Sequence, residues 1–114
     1  MSGVKVAGID VGSLNTKAVI LEDDTPLDYS IVTTADIAEV AAEEALSHVL
    51  LKVGLGKEDI SYIVSTGVQR KEVPFAQAYR STVLCLARGA HQLFPTGRTV
   101  VDVGAENSYA IRIN

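Results

Sequence analysis

A polar turn near the start of the chain combines residue types that bind phosphate. It follows a run of β-branched residues and reads DVGSLNTK. Gly12 has no Cβ, so the backbone can bend sharply there and lie close to a ligand. Small hydrogen-bonding side chains and a positive charge come next: Ser13, Asn15, Thr16 and Lys17. A polyphosphate accepts such hydrogen bonds and carries the opposite charge, so these residues are candidate phosphate contacts.

Asp10 precedes this turn and needs a different role, because a carboxylate repels phosphate. We expect it to hold water on a Mg²⁺ ion that bridges phosphate oxygens. One copy of such a turn is also an ordinary way to close a hairpin. On the first copy alone, both interpretations stay open.

The same pattern returns near the end of the chain. Ile9–Val19 aligns with Val101–Ile111 at a constant offset of 92 positions, and Asp102 and Gly104 take the places of Asp10 and Gly12. Two such turns could face each other and hold a phosphate chain from both sides. Asp10 and Asp102 would then be the catalytic carboxylates at one Mg²⁺ ion, bound through water, with Gly104 in the opposing turn.

Apolar runs and turn signals alternate along the chain and predict the elements that position these turns. Alternation and β-branched content predict strands at Val4–Ile9, Lys17–Leu21, Leu27–Val32, Ile60–Val64, Thr99–Val103 and Ser108–Ile113. Two helices separate the later strands, the second lying between Ala76 and Leu93. The order β-β-β-α-β-α-β-β, a meander followed by crossovers, predicts an α/β fold.

The first helix has a predicted start, face and end. Thr33 and Asp36 in the segment TTAD form a capping box at its start. Gly54 ends it, as glycine commonly does just beyond a helix. The predicted apolar face consists of Ile37, Val40, Ala41, Ala45, Val49 and Val53.

Composition limits the classes of partner and compartment. The chain has 114 residues, a net charge of −4 and one cysteine. Scattered basic residues in an acidic chain argue against a surface for nucleic acid or anionic membrane. A single cysteine excludes an internal disulfide, and the N-terminus has no apolar run typical of a signal peptide. We expect a cytoplasmic protein.

Four blocks together resemble the BadF/BadG/BcrA/BcrD ATPase family, within the actin/hexokinase/Hsp70 superfamily: GIDVGSLNTKAVIL, VSTGVQR, CLARGAHQLFP and RTVVDVGAENS. The family contains ATP-hydrolysing subunits of benzoyl-CoA reductase and activators of 2-hydroxyacyl-CoA dehydratases. The resemblance implies a ribonuclease-H-like, actin-like ATPase lobe that uses ATP and Mg²⁺. It also implies a dimer that passes an electron from a shared [4Fe-4S] cluster to a reductase or dehydratase component.

The chain departs from the family pattern in the second turn and in its cysteines. Ala105, Glu106 and Asn107 replace the usual Gly-Gln-Asp, and the cysteines that bind the cluster in the family are absent. We therefore expect no [4Fe-4S] cluster in this chain. We divide it into an ATPase lobe at 1–97 and the first hairpin of a truncated second lobe at 98–114. Such a chain alone is predicted to be inactive.

Two other kinds of protein share features with this chain. A non-catalytic lobe that serves assembly or dimerisation stays open, and we expect a homodimer through the hairpin Thr99–Ile113, whose apolar residues lack a sheet of their own. A ribonuclease-H-type nuclease needs a carboxylate at the end of the fourth strand. Ser65 and Thr66 stand there, which excludes it.

Overall fold

The apolar runs form a five-stranded mixed sheet, seen in a computed structural model that describes residues 3–93, 99–103 and 108–112. The strands lie in the order β3-β2-β1-β4-β5. The first three pair antiparallel, whereas β4 runs parallel to both β1 and β5. Their bounds are Lys5–Val11 for β1, Asn15–Glu22 for β2, Thr25–Thr33 for β3, Tyr62–Thr66 for β4 and Ala78–Tyr79 for β5. The predicted α/β class is confirmed.

Two α-helices, two short 3-10 helices at Lys57–Asp59 and Arg70–Glu72, and a second small sheet complete the described part of the chain. Helix α1 spans Ala38–Val53 and helix α2 spans Thr82–Leu93. Strands β6 (Thr99–Val103) and β7 (Ser108–Arg112) form a separate antiparallel pair. No helix among the described residues is long and apolar enough to cross a membrane.

Helix α1 covers one face of the five-stranded sheet and forms the core with it. Every second residue of β1 points to this face, and β2, β3 and β4 add theirs, so the buried apolar strand residues are Ala7, Ile9, Val11, Ala18, Ile20, Val32 and Ile63. The helix buries mostly alanines with a few larger side chains: Ala38, Ala41, Ala42, Ala45, Leu46, Val49 and Leu50. This face fixes the register, because a shift of one residue would turn the apolar set of a strand outward.

The predicted capping box is wrong. Thr33 is the last residue of β3, and the residue before the helix is Ile37, which makes no side-chain cap. Thr34, which follows Thr33, donates its amide to the Leu14 carbonyl at 2.8 Å. The segment that was predicted to begin the helix is therefore hydrogen-bonded to the β1–β2 turn. The helix consequently begins later. Its end at Gly54 is as predicted, with φ of 71°.

The predicted apolar face of α1 is partly wrong. Ile37 and Val40 are 59% and 55% exposed. Leu46 and Leu50 are buried instead. Ile37 precedes the helix, and Val40 lies on the side of α1 opposite the buried residues, which recur at three- and four-residue spacing from Ala38.

Strand β5 was not predicted. It has only two residues, too few to show a periodic pattern, and it pairs with Val64 and Ser65 of β4. The side-chain oxygen of Gln77 also accepts the Ile63 amide at 2.7 Å. The observed order therefore contains one strand more than predicted, and α2 begins after it.

The two hairpins of the sequence repeat have the same register. Asp10 lies opposite Lys17 and Val11 opposite Thr16 in β1–β2. At the same offset, Asp102 lies opposite Tyr109 and Val103 opposite Ser108 in β6–β7. The predicted duplication of a strand–turn–strand unit is confirmed in the backbone pairing.

Candidate functional site

The turn between β1 and β2 is tight and depends on glycine. Gly12 donates its amide to the Asn15 carbonyl at 3.0 Å. A Cβ placed on Gly12 would lie only 2.8 Å from that carbonyl oxygen. Ser13 at the turn is half-buried, whereas Leu14 and Asn15 are exposed. The turn therefore offers its backbone and short polar side chains to a ligand arriving from solvent.

Asp10 and Lys17 meet directly beside this turn. They are cross-strand neighbours, and Lys17 Nζ lies 3.7 Å from Asp10 Oδ2. Their side chains are 40% and 52% exposed, so the ion pair adds little to stability. Both groups remain accessible to a ligand. The lysine supplies a point charge suited to phosphate, and the carboxylate can accept hydrogen bonds from water on a metal ion.

Thr16 lies on the opposite face of the sheet from this pair. It is fully buried, and its hydroxyl shares a 2.6 Å hydrogen bond with the hydroxyl of Thr34. Alternation along β2 places it with Ala18 and Ile20 over helix α1. The structure brings Gly12, Ser13, Asn15 and Lys17 to one turn, but it does not bring the Thr16 hydroxyl there.

The end of β4 forms a second wall beside Asp10. Parallel pairing sets Asp10 opposite Thr66, and Gly67 follows with φ of 95°. A Cβ on Gly67 would lie 2.5 Å from Asp10 Oδ1 and closer still to the Val11 carbonyl oxygen. Sequence reasoning did not assign Gly67 a role. The only signal was its place in the VSTGVQR block.

Three hydrogen bonds hold the segment after β4 in this position. The Gln69 amide donates to the Val11 carbonyl at 3.1 Å. The buried Ser65 hydroxyl donates to the Arg70 carbonyl at 2.7 Å, and Arg70 Nη1 donates to the Gly67 carbonyl at 3.0 Å. The carboxyl ends of β1 and β4 are thus joined at the candidate site.

The second-turn residues are only partly described. Asp102 lies in β6, where its backbone pairs with Tyr109. Gly104 lies outside the described residues, as do Ala105, Glu106 and Asn107. For the second half of the predicted site, the structure therefore gives the strand register alone.

The described residues fit a Mg²⁺–polyphosphate. Mg²⁺ is usually held by one or two carboxylates together with substrate phosphates and water, and Asp10 provides an accessible carboxylate. Lys17 provides the positive charge, and Gly12 allows the tight bend, closed on the Asn15 carbonyl, that presents the polar side chains of the turn. Asp10 would hold the metal through water, while Gly12, Ser13, Asn15 and Lys17 would contact phosphate.

Known proteins resemble this chain in both sequence and fold. The chain is 39% identical over 107 residues to the activator of lactoyl-CoA dehydratase from Anaerotignum propionicum, covering 94% of this chain and 41% of that protein. The chain thus spans about two-fifths of the length of this relative.

Two solved structures share the fold. Component A of (R)-2-hydroxyglutaryl-CoA dehydratase from Acidaminococcus fermentans superposes with a TM-score of 0.93 at 29% identity, covering 98% of this chain and 44% of that one. The activator of 2-hydroxyisocaproyl-CoA dehydratase from Clostridium difficile, with bound ADPNP, gives 0.89 at 27% identity, covering 97% and 41%. The predicted actin-like ATPase fold is confirmed. The BadF/BadG/BcrA/BcrD ATPase family model matches residues 7–114, and the chain belongs to that family.

Proposed function

We propose that the β1–β2 turn is the first half of an ATP–Mg²⁺ site. The observation that carries the proposal is the pairing of Asp10 with Lys17 beside the glycine turn, with both charges accessible. Gly12, Ser13, Asn15 and Lys17 bind the phosphates, and Asp10 binds the Mg²⁺ ion through water. Thr16 does not contact phosphate in this proposal, because its hydroxyl is hydrogen-bonded to Thr34 in the core, where it stabilises the strand next to the turn.

The second half of the site is proposed to come from the β6–β7 turn. Its support is the identical register of the two hairpins, which gives Asp102 the same place on its strand as Asp10. Asp102 would share the Mg²⁺ ion, and Gly104 would face the phosphates. Two turns that hold the phosphate chain from both sides would position the γ-phosphate and stabilise the charge that develops on it during phosphoryl transfer. One turn alone cannot do both.

The whole protein to which this lobe belongs is proposed to be an ATP-driven activator of a 2-hydroxyacyl-CoA dehydratase or benzoyl-CoA reductase. The support is the family, the names of the relatives and the ADPNP bound to one of them. In that role it hydrolyses ATP and passes an electron to a reductase or dehydratase component in the cytoplasm. The [4Fe-4S] cluster of such a protein would be bound outside the 114 residues of this chain.

The 114-residue chain by itself is proposed to bind nucleotide weakly and not to turn it over. A non-catalytic assembly or dimerisation module is the second candidate. The separate β6–β7 pair supports it, since an isolated two-stranded hairpin is marginal in water and gains from pairing with a second copy. Nucleotide binding distinguishes the two candidates.

The test is a titration of the chain with Mg²⁺–ADPNP, followed by amide chemical shifts in NMR. We expect shifts at Gly12–Lys17 with a dissociation constant near 1 mM, roughly −4 kcal/mol. Lys17→Met should weaken binding about tenfold, the contribution of a hydrogen bond to a charged group. Asp10→Asn should remove the gain in affinity that Mg²⁺ provides.

The chain offers a matched control in another exposed ion pair. Lys57 Nζ lies 3.3 Å from Glu43 Oε1, and Lys57 precedes β4 at the end of the strand away from Asp10. Lys57→Met and Glu43→Gln remove the same charges and should leave binding unchanged. Equal losses in both pairs, or no shifts at millimolar nucleotide, would contradict the proposed site. A low-micromolar constant would contradict the need for a second turn, and steady phosphate release abolished by Asp10→Asn would contradict the predicted inactivity.

A further inference from the structure

Gly67 lies where any side chain would displace the candidate metal-binding carboxylate. Its φ of 95° places its missing Cβ toward β1. A Cβ there would be 2.5 Å from Asp10 Oδ1, a separation that packed atoms do not reach, and it would also overlap the Val11 carbonyl. The Val11 carbonyl oxygen is the nearest atom to this position, so the end of β1 and the Asp10 carboxylate together fill the space beside Gly67.

The Gly67 backbone cannot easily withdraw to make room. The Gln69 amide ties the segment to the Val11 carbonyl, and the Ser65 hydroxyl ties its far side to the Arg70 carbonyl. Ser65 is 1% exposed, whereas Arg70 is half-buried, so this second bond is partly shielded from water. The Arg70 guanidinium donates a hydrogen bond to the Gly67 carbonyl and so holds the turn in place. A side chain at position 67 would therefore move Asp10 or the end of β1.

The two oxygens of the Asp10 carboxylate consequently have different surroundings. Oδ2 lies 3.7 Å from Lys17 Nζ, and Oδ1 lies against Gly67. We infer that Gly67 is a positioning residue for Asp10: without a side chain at position 67, the carboxylate can lie against the end of β4. This role rests on the proposed function, and it acts through Asp10.

Gly54 provides a control for backbone strain. Its φ of 71° is also positive, but a Cβ on Gly54 would meet nothing within 4 Å. Gly54→Ala and Gly67→Ala both force a non-glycine residue into a strained conformation. Only Gly67→Ala adds collisions, with the Asp10 carboxylate and with the Val11 carbonyl at the end of β1. A comparison of the two variants separates positioning from general loss of stability.

The first measurement is the ¹³C chemical shift of the Asp10 side-chain carboxyl carbon in the 114-residue chain. The second is the increase in affinity for ADPNP when Mg²⁺ is added. In Gly67→Ala we expect the Asp10 signal to move and the Mg²⁺-dependent gain to fall about tenfold or more, as when a partner that orients a metal ligand is lost. Binding of ADPNP without Mg²⁺ should change less. Gly54→Ala should leave both readouts as in the unaltered chain.

A second variant covers the case in which Gly67→Ala does not fold. Ser65→Ala removes the bond to Arg70 and loosens the turn without adding a Cβ at position 67. It should move the Asp10 signal by a smaller amount. An unchanged Asp10 signal in both variants, or in the folded Gly67→Ala chain, overturns the positioning role alone. Absence of Mg²⁺-dependent binding by the unaltered chain overturns the proposed function and, with it, the role of Gly67 there.

Discussion

Substitution of the buried hydroxyl pair, Thr16 and Thr34, tests whether the Thr16 hydroxyl stabilises the fold or binds phosphate. The two oxygens lie 2.6 Å apart, and the residues are 0% and 7% exposed. Valine has nearly the shape of threonine but lacks the hydroxyl. Thr16→Val therefore leaves the packing intact while depriving the Thr34 hydroxyl of its partner in the interior.

The expected magnitude follows from the cost of an unpaired buried polar group. Each single variant, Thr16→Val or Thr34→Val, should lower the free energy of unfolding by about 1–3 kcal/mol. The double variant should lose no more than either single one, because replacing both partners with apolar groups leaves no hydroxyl unsatisfied. The two substitutions should thus be strongly non-additive, as expected for groups in direct contact.

Urea unfolding followed by circular dichroism measures these free energies. Thr33→Val is the matched control: Thr33 is an exposed neighbour on β3, and its replacement should change stability by less than about 0.5 kcal/mol. Nucleotide-induced amide shifts in the double variant should match those of the unaltered chain. Additive losses would refute the hydrogen-bond argument. Loss of the shifts with unchanged stability would show that Thr16 meets phosphate after all.

Three further variants test the core and the β2–β3 turn. Leu46→Ala should cost about 2–5 kcal/mol of unfolding free energy, because Leu46 is 1% exposed between α1 and the sheet; a loss below about 1 kcal/mol in urea would contradict this packing. Asp24→Gly should raise stability by about 0.5 kcal/mol, since relief of the left-handed strain at φ of 70° exceeds the entropic cost of glycine. Asp23→Gly should gain less in thermal unfolding, because Asp23 Oδ1 also accepts the Val4 amide; the reverse ranking would contradict the turn geometry.

Features that depend on neighbouring residues could be predicted from the sequence. The alternation in β1 and β2 and the glycine turn between them indicated the first hairpin, and the repeat indicated the second with the same register. Gly54 indicated the end of α1. For the first hairpin and the end of α1, the signal lies within a few residues of the structure, so periodicity and turn chemistry were sufficient; the second hairpin was indicated by its likeness to the first.

The start of α1 and its buried face could not be predicted in the same way. The TTAD segment has the composition of a cap, yet the Thr34 amide bonds to the Leu14 carbonyl across the sheet. Local preference and strand pairing competed for the same backbone groups, and pairing prevailed. Strand β5 also could not be predicted from local sequence, since its two residues form a strand only by pairing with the edge of β4.

By itself, the sequence determined the chemistry of the candidate site: a carboxylate, a glycine and a lysine fixed at short spacing on one hairpin. Tertiary structure decided which side of the sheet each group occupies and what lies beside it. It placed the Thr16 hydroxyl inside against Thr34, although the spacing put it among the phosphate contacts. It also brought Gly67 against Asp10, because parallel pairing joins the ends of β1 and β4, which no local pattern in the chain connects.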